Sequence, residues 1–301
     1  MKHQHTEKVT FENEDYGFQV KIPTRYAETM LTEDPNHPIN IQFMPSAQEL
    51  SNEGSLDPLE EINSNTPPGL LHKYPHRVLL TLTQACAIHC RYCFRRHFPY
   101  ANKNPFKNLK MIIDYIRNDT SISEIILSGG DPLMLSNDKL NKLFQEFSKI
   151  DHIRTIRFHT RMPMIIPSRV DFFIQSLPNK YSVWQWVMVL HINHDSEFNP
   201  ENDLAIKKLN RHGFTVLNQS VLLKGVNDSS ETLIDLSKAL WQRKVLPYYV
   251  HQLDPVKQGM HFKVDDVVAK SIYQTLQASL PGYLVPKFAK EVPGLKHKQL
   301  I

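Results

Sequence analysis

Cys86-Ala-Ile-His-Cys90-Arg-Tyr-Cys93-Phe-Arg95-Arg96-His97-Phe-Pro-Tyr100 contains all three cysteines of a 301-residue chain, inside eight consecutive positions. An odd, tightly bunched set cannot be a disulfide framework, and cysteines used for packing would scatter. Gaps of three and then two residues let one loop turn its thiolates onto a shared centre. Two centres suit thiolates. Zinc takes four ligands, and His89 or His97 could supply the fourth, but Cys-x3-Cys-x2-Cys is not a usual structural zinc spacing. An iron–sulfur cluster normally takes four cysteines, so three leave one iron open to another molecule. The spacing favours the cluster.

Outward from this loop the chain has the texture of successive βα units. From Arg77 onward, short apolar segments bounded by turn residues alternate with helical periodicities, which predicts a parallel sheet. The expected strands are Arg77–Thr83, Glu124–Ser128, Thr155–His159, Trp184–His191, Thr215–Gln219 and Leu246–Gln252. Between them, Leu140, Leu143, Phe144, Phe147 and Ile150 recur at helical spacing and give one apolar face. Asp228 with Glu231 reads as the start of another helix, and a last helix is expected over Asp265–Leu280. The fold class is α/β, a partial (β/α)6 TIM-type barrel spanning residues 76–282. Residues 1–75 form an N-terminal extension. Its prolines and acidic residues predict a loosely structured lead-in without its own core, apart from one short helix near Arg25–Leu31. Residues 283–301, with Pro286, Pro293 and four lysines, predict an extended C-terminal flap that is not a core element.

Polar outliers fall in phase with these strands. The cysteine loop follows strand one, Ser128-Gly129-Gly130-Asp131 ends strand two, and His159-Thr-Arg161 ends strand three. His191-Ile-Asn193-His194, Asn218-Gln219-Ser220 and His251-Gln-Leu-Asp254 end strands four, five and six. In a parallel βα barrel the loops at that face converge on one mouth, where sites are built. The two glycines suit a close backbone approach, to a ligand or within an ordinary tight turn. Arg91, Arg95 and Arg96 offer guanidinium groups for a carboxylate or as counter-charge to an anionic cluster. A buried Asp254 would need a cationic partner.

Composition narrows the partners. Thirty-five basic against 31 acidic residues give a formal charge of +4 with no basic block, which argues against nucleic acid as the main partner. No apolar run approaches the length of a signal peptide or a membrane span, so a cytoplasmic protein without membrane association is expected.

Cys-x3-Cys-x2-Cys is the signature of radical S-adenosylmethionine (SAM) enzymes. The flanking Arg-Tyr-Cys-Phe-Arg-Arg-His-Phe-Pro-Tyr and the Gly69-Leu-Leu-His-Lys-Tyr74 stretch resemble the lysine 2,3-aminomutase family, and within it the branch that makes (R)-β-lysine for elongation factor P. The likeness runs from about Asp57 to the C-terminus. It implies a [4Fe-4S] cluster on Cys86, Cys90 and Cys93 whose open iron holds SAM. It also implies SAM contacts from Ser128, Gly129, Gly130, Asp131, His191 and Gln219, and a pyridoxal 5′-phosphate (PLP) cofactor. Arg95 matches the family arginine that grips the carboxylate of L-lysine, and Asp254 and Glu291 match the acids that meet its ε-ammonium. Lys73 and Tyr74 match residues that touch the PLP phosphate. The family's PLP lysine lies in Gly-Gly-Gly-Lys-Thr-Pro, seven residues after an acid. Here the tail reads Glu291-Val-Pro-Gly294-Leu-Lys296-His-Lys298-Gln-Leu-Ile301, so the count points to Lys298, with Lys296 a competitor. Implied partners are L-lysine, elongation factor P with its β-lysine ligase, and an electron donor such as flavodoxin or ferredoxin. A metabolic lysine or glutamate aminomutase and a zinc-stabilised, non-catalytic binding module remain the alternatives.

Overall fold

The computed structural model describes residues 18–62, 66–100 and 103–301, so the first seventeen residues of the expected extension lie outside it. Nine strands form one sheet in chain order: β1 (Leu70–Tyr74), β2 (Arg77–Thr81), β3 (Glu124–Ser128), β4 (Thr155–Thr160), β5 (Gln185–Leu190), β6 (Thr215–Val221), β7 (Leu246–His251), β8 (Lys287–Lys290) and β9 (Gln299–Leu300). Neighbours from β2 to β8 are parallel, whereas β1 on β2 and β9 on β8 are antiparallel. The six expected strands are β2 to β7. Two expectations need correction at the edges.

The tail contributes a core strand. Phe288 and Ala289 on β8 are fully buried, and Phe288 stacks on Tyr273. Four residues of Lys-Phe-Ala-Lys are too few to show a period, and only pairing with β7 reveals the strand. The lead-in, for its part, is docked. It carries α1 (Thr24–Met30) and α2 (Pro38–Phe43), and Ile22, Tyr26, Ile39 and Phe43 sit in the main core. Its prolines punctuate short elements: Pro38 starts α2 while His37 accepts from the Ile39 amide.

The remaining helices are α3 (Leu109–Asn118), α4 (Asn137–Phe147), α5 (Met162–Ile165), α6 (Phe172–Lys180), α7 (Pro200–Arg211), α8 (Ser230–Gln242) and α9 (Asp266–Ser279). The apolar face read on α4 is buried as expected. Phe144 meets Trp186 edge-on at 5.1 Å, with Phe158 stacked behind it. Phe144→Ala would cost about 3–5 kcal/mol through the cavity it leaves. Helix α8 starts one residue later than the Asp228 reading, because the Ser229 hydroxyl accepts from the Thr232 amide and occupies the cap position.

The turn after β3 fixes the cysteine loop. Gly129 has φ +120°, and a Cβ there would lie 2.7 Å from the Thr83 carbonyl. A Cβ on Gly130 would lie 2.5 Å from the Ala85 carbonyl. In their place the Gly130 amide donates to Thr83 (2.6 Å) and the Asp131 amide to Ala85 (2.9 Å). The close approach that the glycines permit is thus first to the chain's own cysteine loop.

Candidate active site

A cavity of about 330 Å³ opens at the C-terminal ends of the parallel strands, in the size range of small-molecule sites. The residues that the resemblance assigns to the cluster, SAM, PLP and lysine all line it, from Cys86, Cys90 and Cys93 to Asp254, Glu291 and Lys298. Lys296, the competitor to Lys298, is exposed and does not line the cavity.

At one end are the thiols. Burial, followed by the charge of Cys93, pushes the Cys86 thiol well above its ordinary value. Burial and then Cys90 push Cys93 to about 11. Cys86 and Cys93, each raised by burial and by a neighbouring thiol, form with Cys90 beside them a sulfur donor set that a cationic centre relieves. Among the described residues no three His, Cys, Asp or Glu side chains converge on a single ion. Neither His89 nor His97 faces the cavity, and His89 instead directs Nδ1 to the Gln19 carbonyl at 2.7 Å. Arg91 and Arg96, weighed as counter-charge, are both engaged by the buried Glu49 at 2.6 and 3.0 Å.

Asp131 is held from several sides. Its carboxylate accepts from the Leu133 amide (2.9 Å), the Thr160 hydroxyl (2.7 Å) and the Arg161 amide (2.8 Å), so it ties the Gly-Gly turn to the end of β4. Just past β5, His191 Nε2 lies 2.9 Å from the Tyr92 hydroxyl. That hydroxyl accepts from Arg161 and from Asn193 (2.7 Å), and it has two acceptors within reach for its own proton, His191 Nε2 and the Gln42 side-chain oxygen at 3.3 Å. Burial and the Arg161 charge keep the imidazole neutral.

The opposite end is made of charges. Glu291 accepts from Lys73 (2.8 Å), Tyr74 and Lys298. Burial pushes Glu291 up, but the Lys298 charge and these hydrogen bonds outweigh it and hold the carboxyl at about 2. Asp254 receives no hydrogen bond or ion pair from the described side chains. Burial and the Glu291 charge raise it to about 7. His251, buried and facing Lys298, is lowered to about 3 and is neutral.

Between the two ends, Arg95 clasps Glu61 with Nε and Nη2, both at 2.8 Å, and donates Nη1 to Ser128 Oγ at 3.3 Å. The sequence reading missed Glu61, which looked like one of several lead-in acids. It also missed Arg77, which opens β2 and lies 4.4 Å from the Tyr74 ring. Both line the cavity. Arg161 was legible only as part of a polar strand end.

The profile of the Radical SAM superfamily matches residues 80–237. The chain is 44% identical over 288 residues to an L-lysine 2,3-aminomutase of Haemophilus influenzae, covering 94% of this chain and 84% of that one. An Escherichia coli protein of the same name is 42% identical over 281 residues, 92% of this chain and 81% of that one. One from Clostridium subterminale is 34% identical over 283 residues, 92% of this chain and 67% of that one. A cavity with three thiols at one end and a lysine–carboxylate group at the other is where such likeness has its chemical meaning, and the chain belongs to the L-lysine 2,3-aminomutase family of radical SAM isomerases.

Proposed function

We propose that this chain converts L-lysine to (R)-β-lysine with a [4Fe-4S] cluster, SAM and PLP, in the cytoplasm, and that the product is destined for a lysine side chain of elongation factor P through a β-lysine ligase. The observation that carries this reading is that one cavity holds both the three thiols and Lys298 with its acidic neighbours. The Arg91–Tyr100 run, with its likeness to the elongation factor P branch, supports the destination. When bound, the cluster and SAM supply the radical that removes and returns hydrogen, and PLP carries the migrating amino group.

The chain's own residues supply position. Arg95 holds the substrate carboxylate with the two nitrogens that now clasp Glu61, so Glu61 yields that fork when lysine enters. Asp254 receives the ε-ammonium, which resolves the cost of an otherwise unpaired buried carboxylate. Glu291, just past β8, keeps Lys298 in place beside the short β8–β9 ladder and reaches across to Lys73 on β1, Lys298 for the cofactor aldehyde and Lys73 with Tyr74 for its phosphate. Neutral His191 and Gln219 line the wall that would take SAM, and the Ser128–Asp131 turn, its amides spent on the cysteine loop, holds that loop beside it. The cavity walls keep water from reactive species. A flavodoxin or ferredoxin would deliver the electron.

The test is anaerobic incubation of cluster-loaded protein with L-lysine, SAM, PLP and a reductant, with chiral chromatography of the products. Loaded protein that forms no β-lysine would sink the reaction. Mass spectrometry of elongation factor P from a strain lacking this gene tests the destination separately: a factor that keeps its β-lysyl mass means that the amino acid is made for another use.

A further inference from the structure

Arg161 lies at the tip of β4, and its guanidinium is buried. Nη1 donates to Cys90 Sγ at 3.1 Å and to the Tyr92 hydroxyl. Nη2 donates to Glu197 (2.6 Å) and to the Gln42 side-chain oxygen (2.7 Å). The Phe43 ring covers its face at 4.6 Å. The fork therefore bridges two unlike acceptors, a carboxylate on one nitrogen and a cysteine sulfur on the other. Glu197 is itself held by the Asn193 amide (2.8 Å) and the His194 amide (3.1 Å), so the guanidinium cannot turn away from the sulfur without breaking this frame. Nothing in the amino-group migration requires a group here.

We infer that Arg161 is a positioning residue of the iron–sulfur centre: it fixes Cys90 as a ligand and, by donating a charge-assisted hydrogen bond to that sulfur, holds the cluster's reduction potential up. Hydrogen bonds to cluster sulfurs stabilise the electron-rich reduced form, and groups behind a ligand orient it. The bridge through Tyr92 to His191 joins this frame to the wall on which SAM would lie, so the group that eases electron entry also fixes the acceptor's surroundings.

Removing Arg161 alone would leave Glu197 buried and uncompensated, so the decisive protein is Arg161→Met with Glu197→Gln, in which glutamine still accepts from the two amides. Cluster-loaded parent and variant, without SAM, are titrated potentiometrically and followed by electron paramagnetic resonance. The expected result is a reduction equilibrium at least about tenfold less favourable, or ~59 mV lower for a one-electron couple. Glu197→Gln alone keeps the donor on Cys90 and should not lower the potential, although its melting temperature falls. Loss of iron from a double variant that melts like the parent also supports the inference, because Cys90 is then no longer held. Should the double variant fail to fold, Arg161→Lys carries the measurement. Its ammonium stays with Glu197 and leaves the sulfur, and the potential should again fall. A loaded variant whose potential equals the parent's overturns the inference and leaves Arg161 as a structural ion pair. The readout needs only the cluster, so it stands apart from the choice of amino acid substrate.

Discussion

The two ends of the cavity are built by opposite means. At the thiol end, each polar group is held by partners from separate strand tips: Asp131 accepts from the turn after β4, Tyr92 joins Arg161 to His191, and the glycine turn clamps the cysteine loop. At the tail end, one carboxylate, Glu291, holds two lysines and a tyrosine, Asp254 has no hydrogen-bond or ion-pair partner among the described side chains, and the supporting ladder is a two-residue β9. The first arrangement is fixed before any ligand arrives. The second consists of ion pairs that a cationic, carboxylate-bearing amino acid can replace one for one. Preorganisation serves the end where a cluster must keep its geometry, and exchangeable charges serve the end where substrate comes and goes.

This contrast can be broken most severely from either end. Cys90→Ala should abolish iron loading and activity while leaving PLP uptake, read as visible absorbance, intact. Lys298→Ala should do the converse, losing the absorbance and borohydride labelling while cluster iron stays. Lys296→Ala should change neither. If the label followed Lys296, the seven-residue count from Glu291 would be wrong.

The next effect in size concerns Asp254. Asp254→Asn should lower kcat/KM for lysine by roughly 10²-fold, near the ~2–5 kcal/mol of a buried charge pair that loses one partner. Its pH dependence follows from the folded state. A carboxyl raised to about 7 binds its proton more tightly folded than unfolded. It therefore costs stability as pH rises from the ordinary carboxylate range through about 7. A cationic substrate tail reverses this, so lysine binding near pH 6.5 should release a proton, seen as a buffer-dependent calorimetric heat that Asp254→Asn removes. Glu291 has the opposite sign. Lowered to about 2, it adds stability above the ordinary carboxylate range that is lost as pH falls toward 2.

The smallest expected effect is at the clasp. Glu61→Gln should lower KM for lysine by roughly fivefold, about the 1 kcal/mol that a partly exposed pair withholds from a competitor, with kcat little changed. A raised KM would mean that Glu61 helps to hold substrate and does not compete with it.

The cysteine spacing, the strand tips and the α4 face were legible because each is written in local order: a short motif, or a period that one element imposes on its own residues. The Arg95 clasp was not. Glu61 lies 34 positions from its partner, in a stretch whose acids look alike. The β8 strand was invisible for a related reason, since four residues carry no period and gain their hydrogen bonds only from β7. Arg161 was in view as a strand-tip residue, but nothing in its neighbours announces a sulfur 71 positions away.

By itself, then, the sequence determined that three thiolates share one loop, that parallel βα units carry it, and that polar residues gather at one face, because chain connectivity and periodicity enforce all three. Only the tertiary structure decided which charges meet: Arg95 with Glu61, Arg161 with Cys90 and Glu197, and Glu291 with both Lys73 and Lys298. The reason is physical. A buried charge takes whichever partner the packing brings within reach, and that partner is chosen by the fold as a whole and not by distance along the chain.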